Sequence, residues 1–436
     1  MRPRSARRSD VHPVVPRTRA VLRVAQGRER RVEPERVDPR RGPRGEVDDR
    51  LRAEARHGGA ADVLDREERG PAAARIRAAS ARDATAHAGR CSSRRIIAAT
   101  LPRPSRVPLG STTVPSPSPS LSSRRALVLG GTGAIGGATA ERLGRDGWSV
   151  DVTGRDTVAM PAALADLGVR FHAVDRSDAR AIERLVGDGV DLLVDLVAFT
   201  AADVEALLPA MRASGSVVVA SSRAVYVDDA GRHVNGDEPP RFPVPIPEEN
   251  ATLAPAADGT DPFTRKGYAP SKVAVERAAL DSGLPVTVIR PSKVHGRWAR
   301  NARTRAIVER MLAGAPTIEL ADRGASVDHL TAAANAAALI ARAAEVPGAR
   351  ILNSADPDPL PAAGIVAVIA DELAWRGRIV PLEPGVDGGA HPWAAAHPIV
   401  LDTRASLALG YAPVGPGAEL LRAEVAWIRD GERPRG

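Results

Sequence analysis

A single cysteine, Cys91, is present among 436 residues. A chain with one thiol builds no disulfide framework, and everything beyond residue 91 lacks a thiolate ligand or a cysteine nucleophile. That usage fits a reducing compartment, and the cytoplasm is the expected location. The nine histidines show no ligand spacing such as His-Glu-x-x-His. His391 and His397 fall in a Pro/Gly-rich loop and read as solvated, so no metal is expected. No run of about 18 apolar residues occurs, so no membrane span is expected. No apolar core of the secretory type follows the early arginines.

Lysine and aromatic residues are scarce as well. Three lysines (Lys266, Lys272, Lys293) stand against 58 arginines, and Phe, Trp and Tyr number 4, 5 and 3. So few rings argue against a base-stacking platform for nucleic acid. Residues 1–123 contain no aromatic residue and no lysine, and carry 27 Arg against 14 acidic residues, a balance of +13. The remainder has 34 basic and 39 acidic residues, a balance of −5. The basic character of the whole chain therefore belongs to its first quarter. That quarter has too little apolar surface to offset the entropy of ordering it. It ends in the Ser/Pro-rich run Ser111–Ser123, which reads as a linker. We expect a disordered extension over 1–123, or a non-native upstream stretch. Through this Arg-rich arm alone would the chain contact nucleic acid.

What is present begins at residue 126. Ala126–Leu129 reads as a buried strand, and Gly130, Gly133 and Gly136 follow it, with an Ala/Leu-rich helix opening behind them. Such a turn collects backbone N–H groups and the positive end of a helix at one point, which suits a pyrophosphate. Thr132, Ala134 and Ile135 fill the same turn and join the three glycines as expected cofactor-binding residues. Further strands are expected at Val150–Thr153, Phe171–Val174, Leu192–Val197, Val217–Ala220 and Val286–Ile289. Helices are expected at Ala134–Arg145, Ala179–Val186, Ala202–Met211 and Tyr268–Leu280. Apolar strands alternating with helices predict an α/β doubly wound parallel sheet of Rossmann type over 124–295. After it, helices near Thr304–Ala313, Leu330–Ala344, Ala362–Trp375 and Ala418–Asp430 predict a small, mostly helical substrate-binding region over 296–436.

The second strand ends Val152-Thr-Gly-Arg155, with Gly154 where an NAD-binding unit usually places an acid. A guanidinium pairs with a 2′-phosphate that a carboxylate would repel, so NADP is favoured over NAD, with Arg155 as its contact. Asp175, past the third strand, reads either as an acceptor at the adenine edge or as the N-cap of the next helix. Tyr268 and Lys272 stand one helical turn apart in Gly267-Tyr-Ala-Pro-Ser-Lys-Val273, with Pro270 expected in the first turn. A phenol is a poor base near neutral pH; an ammonium beside it and the helix's positive end both favour the phenolate. Ser221 and Ser222 end the fifth strand, where a hydroxyl reaches either a substrate oxygen or a turn N–H.

Taken together, these residues resemble the extended short-chain dehydrogenase/reductase family, also called the NAD-dependent epimerase/dehydratase family. The resemblance runs from about Arg124 to Asn353. It rests on Gly130-Gly-Thr-Gly-Ala-Ile-Gly136, Ser221-Ser-Arg-Ala-Val-Tyr226, Tyr268-Ala-Pro-Ser-Lys272, Arg290-Pro-Ser-Lys-Val-His-Gly296 and Val327-Asp328. It implies an oxidoreductase in which Ser222, Tyr268 and Lys272 are catalytic. Tyr268 would be the acid/base, Lys272 would hold the nicotinamide ribose, and Tyr226 and Asp328 would be structural. The implied substrate is a polar small molecule with a hydroxyl or carbonyl carbon, nucleotide sugars first. The chain departs from the pattern at Val225-Tyr-Val227, in the Pro-rich stretch Gly231–Pro262, and at His295 in place of a tyrosine. All three lie where substrate would sit, so the substrate is not carried over. His295 either contacts substrate or packs. Arg297, Arg300, Arg303 and Arg305 read as contacts for an anionic tail or as a solvated face. A non-catalytic NAD(P)-binding sensor or RNA-associated protein on the same fold is the alternative. An intact Ser/Tyr/Lys set argues against the sensor, and the acidic core against RNA. The oligomeric state is left open, and a homodimer is compatible with the sequence.

Overall fold

Ala126, Leu127, Val128 and Leu129 are all completely buried. Strand β1 (Arg125–Leu129) therefore has no solvent face and must lie between two layers. Alternate side chains enter different cores, Ala126 and Val128 on one side, Leu127 and Leu129 on the other. A computed structural model describes residues 123–155 and 160–431; the Arg-rich segment expected to be disordered lies almost entirely outside them.

β1 pairs in parallel with β2 (Ser149–Gly154) and β4 (Val190–Asp195). With β3 (Arg170–Ala173), β5 (Ser214–Ala220), β6 (Val286–Pro291) and β10 (Arg350–Ser354) they form a seven-stranded parallel sheet ordered β10-β6-β5-β4-β1-β2-β3. The winding reverses between β1 and β4, and the loops leaving their carboxyl ends diverge there, opening the crevice where such sheets bind ligands. One layer contains α1 (Ala134–Arg145) and α8 (Ala333–Glu345). The other contains α3 (Ala179–Val186), α5 (Leu208–Arg212) and α6 (Arg265–Asp281). The expected doubly wound fold is the one observed.

The differences are local. The helix expected over Ala202–Met211 is two helices, α4 (Ala201–Ala206) and α5, broken at Leu207. Pro209 has no N–H with which to continue the ladder, so the chain turns and restarts. The expected helix at Leu330 starts only at Ala333, because Leu330–Ala332 (β9) is drawn into pairing with Lys293–His295 (β7). A second parallel pair joins Thr317–Leu320 (β8) to Arg378–Pro381 (β11). Around these pairs pack α7 (Arg303–Leu312), α9 (Ala362–Glu372) and α11 (Gly417–Asp430), which makes this part mostly helical. The seventh strand of the main sheet, β10, comes from beyond residue 296 and pairs with β6.

Candidate active site

The chain leaves β1 through Gly130, whose φ of +85° is left-handed backbone that an L side chain resists. A Cβ at Gly136 would overlap the Gly130 carbonyl oxygen, so glycine is required there for α1 to start against the turn. Gly133 is the N-cap of α1 and contributes no side chain to it, while Ala134, Ile135 and Gly136 form the first turn. Their N–H groups and the helix's positive end face a site with no capping side chain, which fits a pyrophosphate. Thr132 sits at the same mouth, its hydroxyl accepting from Arg300 at 2.9 Å.

At the end of β2, Gly154 packs against Phe171 and Thr132, and Arg155 is exposed. Asp175 is exposed too and accepts from the Ser177 N–H (2.9 Å) and hydroxyl (2.7 Å). These bonds, with the charges of Arg155 and Arg176, hold its carboxyl below the usual range. The N-cap of α3 is Asp178, whose side chain accepts from Ala181, so the helix-cap reading of Asp175 is corrected. Asp175 lacks the position for that bond because it closes its own turn first.

Three groups meet at the carboxyl ends of β4 and β5. Lys272, 1% exposed, donates to the carbonyls of Ala198 (2.7 Å) and Ala220 (2.6 Å), and burial lowers its pKa to about 8. Tyr268 is also buried, and its phenol is hydrogen-bonded to the Ser222 side chain. Burial pushes the phenol up to about 12; the Ser222 bond and the Arg223 charge pull the other way. The Lys272 ammonium is drawn to two carbonyls, while Ser222 and the Arg223 charge act to lower the phenol's pKa. Ser222 also caps the short turn Arg223–Val225, accepting from the Ala224 N–H at 3.2 Å. The turn reading of that serine is the one observed.

Helix α6 starts at Arg265, ahead of the expected Tyr268, because Thr264 caps it by accepting from Gly267 at 3.0 Å. Pro270 is thus inside the helix and not in its first turn. Tyr268 remains near the positive end, and Lys272 follows one turn later on the same face.

Other expected residues prove structural. Tyr226 is fully buried and donates to Asn353 at 2.7 Å. Asp328 pairs with Arg223 (2.7 Å) and Lys293 (3.3 Å). His295 packs: its Nε2 lies 2.8 Å from Asp356 and its Nδ1 3.6 Å from Glu424. Burial alone would lower its pKa, but the two carboxylates raise it to about 9. Arg297 pairs with Glu141, Arg303 donates to the Val294 carbonyl (2.9 Å), and Arg305 lies 3.8 Å from Glu309. These arginines serve the protein's own groups. Sequence reasoning missed Arg223, whose one signal was its place directly after Ser222. It also missed Phe199, whose ring lies 5.5 Å from the Lys272 ammonium.

Among the described residues, no group of three or more His, Cys, Asp or Glu is placed to hold a metal ion. No helix there is long and apolar enough to cross a membrane.

Comparison with known proteins agrees with this fold. The family model "NAD dependent epimerase/dehydratase family" matches residues 126–353. The serine 3-dehydrogenase of Agrobacterium fabrum is 38% identical over 77 residues, 16% of this chain and 31% of the relative, so the match spans about a third of that protein. The structure of dTDP-glucose 4,6-dehydratase from Bacillus anthracis, in complex with NAD, superposes with a TM-score of 0.54 at 17% identity, covering 71% of this chain and 98% of that one. UDP-glucose 4-epimerase from Thermotoga maritima, with UDP-glucose, gives 0.53 at 18% identity, covering 71% and 100%. At such identities the two structures show a shared fold.

Proposed function

The chain belongs to the NAD-dependent epimerase/dehydratase family, and on that premise we propose that it is an oxidoreductase acting at a hydroxyl or carbonyl carbon of a polar small molecule. The nicotinamide cofactor, when bound, supplies or accepts the hydride. The observation that carries the reading is the meeting of Ser222, Tyr268 and Lys272 at the carboxyl ends of β4 and β5, beside the glycine-rich turn.

Each residue then has a distinct task. The turn from Gly130 to Gly136 takes the pyrophosphate on uncapped N–H groups. Arg155, exposed at the end of β2, favours the 2′-phosphate of NADP over the bare ribose of NAD, and Asp175 lies toward the adenine edge. An ammonium carries three donors, and carbonyls occupy two of those on Lys272, leaving one for a ribose hydroxyl. Ser222 orients the substrate oxygen. Tyr268, held protonated by burial, donates its proton to that oxygen as a carbonyl is reduced, and takes one back in the reverse direction. By the family resemblance, nucleotide sugars are the first substrates to try.

A graded loss tests this. Tyr268→Phe lowers turnover by about 10²–10⁴-fold with the fold intact, because only the proton-carrying hydroxyl is lost. Lys272→Ala lowers both turnover and cofactor affinity, and Ser222→Ala gives an intermediate loss. Near-wild-type rates for Tyr268→Phe with an accepted substrate would remove the assignment.

A further inference from the structure

Arg223 follows Ser222 directly, and its charge acts on the same Tyr268 phenol that Ser222 does. Its side chain is 10% exposed. Nη2 lies 2.7 Å from Asp328 Oδ1 and donates to Oδ2 at 2.9 Å. Nη1 is buried without any hydrogen-bond partner. An unmatched buried donor is costly, and buried polar groups are seldom left so. The charges around it are unbalanced in the same sense. Lys293 Nζ, which also donates to the Pro392 carbonyl, is 3.3 Å from the same carboxylate, so two largely buried cations share the anion Asp328. Ser292, next to Lys293, also buries a hydroxyl with no partner. Asp328 Oδ1 also makes no hydrogen bond, although Arg223 Nη2 lies near it, so the arrangement holds a spare guanidinium donor and one surplus positive charge, and the Arg223 charge is felt by the Tyr268 phenol.

We infer that Arg223 anchors the substrate by a carboxylate, Nη1 donating to that group while the adjoining hydroxyl or carbonyl carbon lies at Ser222 and Tyr268. The inference rests on the oxidoreductase reading above and adds a substrate class to it. A surplus of one charge matches a monoanion, and a planar carboxylate accepts well from a guanidinium edge. Arg223 binds and selects; it takes no part in proton transfer.

The test uses full-length protein loaded with NADP and two matched pairs of probes: UDP-glucuronate against UDP-glucose, and L-serine against L-serinamide. Calorimetric titration of wild-type protein gives tighter binding of the acid in at least one pair, by about tenfold or more. Arg223→Gln reduces that ratio to near unity. Arg223→Lys retains the ion pair with Asp328 and brings no second nitrogen, so it keeps wild-type melting behaviour and still loses several-fold of the preference. Equal binding of acid and neutral partner in both pairs by wild-type protein overturns the inference, as does a preference that survives both substitutions. NADPH titration of the same samples separates the two levels. Wild-type protein that binds NADPH without preferring acids defeats this inference alone, whereas failure to bind NADPH defeats the reading beneath it.

Discussion

Ser221 and Ser222 are neighbours at the end of β5, yet they enter two polar networks of different kinds. Ser221 donates to Glu276, which accepts from Arg290 Nε (2.8 Å) and Nη2 (2.6 Å). Arg290 Nη1 reaches the Glu248 carbonyl (3.0 Å), and the guanidinium lies over the Tyr226 ring at 4.7 Å. This network is closed, since the chain supplies a partner for each charged group. Ser222 enters the other, with Tyr268 and Arg223, where Arg223 Nη1 is buried without a partner. A closed network holds elements together; an open one keeps donors for a molecule the chain does not contain. Two adjacent serines just beyond β5 thus enter one network that holds structure and one that we assign to chemistry.

The contrast breaks most sharply under substitution. Glu276→Ala leaves Arg290 charged and buried without its counter-ion, which costs about 3–5 kcal/mol. Tyr268→Phe in the open network changes stability by under about 1 kcal/mol. Chemical denaturation of the two variants measures both, and equal losses would erase the distinction between the networks.

A second buried network, around His295, responds to pH. Its pKa is raised from 6.5 to about 9 in the folded protein. The stabilisation is therefore fully present below pH 6.5 and is lost as pH rises through 9. The expected loss is about 3 kcal/mol at most. Melting temperatures measured from pH 6.5 to 9 should fall more steeply for wild-type protein than for His295→Gln. Parallel curves would mean that the imidazolium is not what Asp356 and Glu424 hold.

Smaller effects sharpen the open side. Wild-type protein is expected to bind NADPH about tenfold more tightly than NADH, and Arg155→Asp to reverse the order, by exchanging attraction to a 2′-phosphate for repulsion. Fluorescence titration decides it, and unchanged relative affinities would return the preference to NAD. The smallest effect concerns residues 1–120. With no aromatic residue to bury, their removal is expected to leave melting temperature and cofactor affinity unchanged. A drop of several degrees would show that they contribute to the fold.

Much of the site was legible because its signals are local. The strand, glycine turn and helix from β1 into α1 follow from apolar runs and backbone sterics within about 20 residues. Tyr268 and Lys272 share a face for the same reason. The break at Pro209 was equally local and was missed because helical periodicity ran on across it. The early start of α6 at Arg265 was missed because the Thr264 cap lay outside the periodic stretch.

The sequence by itself determined the doubly wound sheet, the glycine-rich turn and the residue types that gather beside it, since each depends on contacts a few positions apart. Tertiary structure decided the state of every buried charge. Lys272 finds its carbonyls 74 and 52 positions away, and His295 meets Asp356 61 positions away. Tertiary structure alone also left Arg223 Nη1 without a partner. The physical reason is that the protonation and pairing of a buried group follow from what surrounds it in space, and folding brings those neighbours from distant strands and loops that no local pattern encodes.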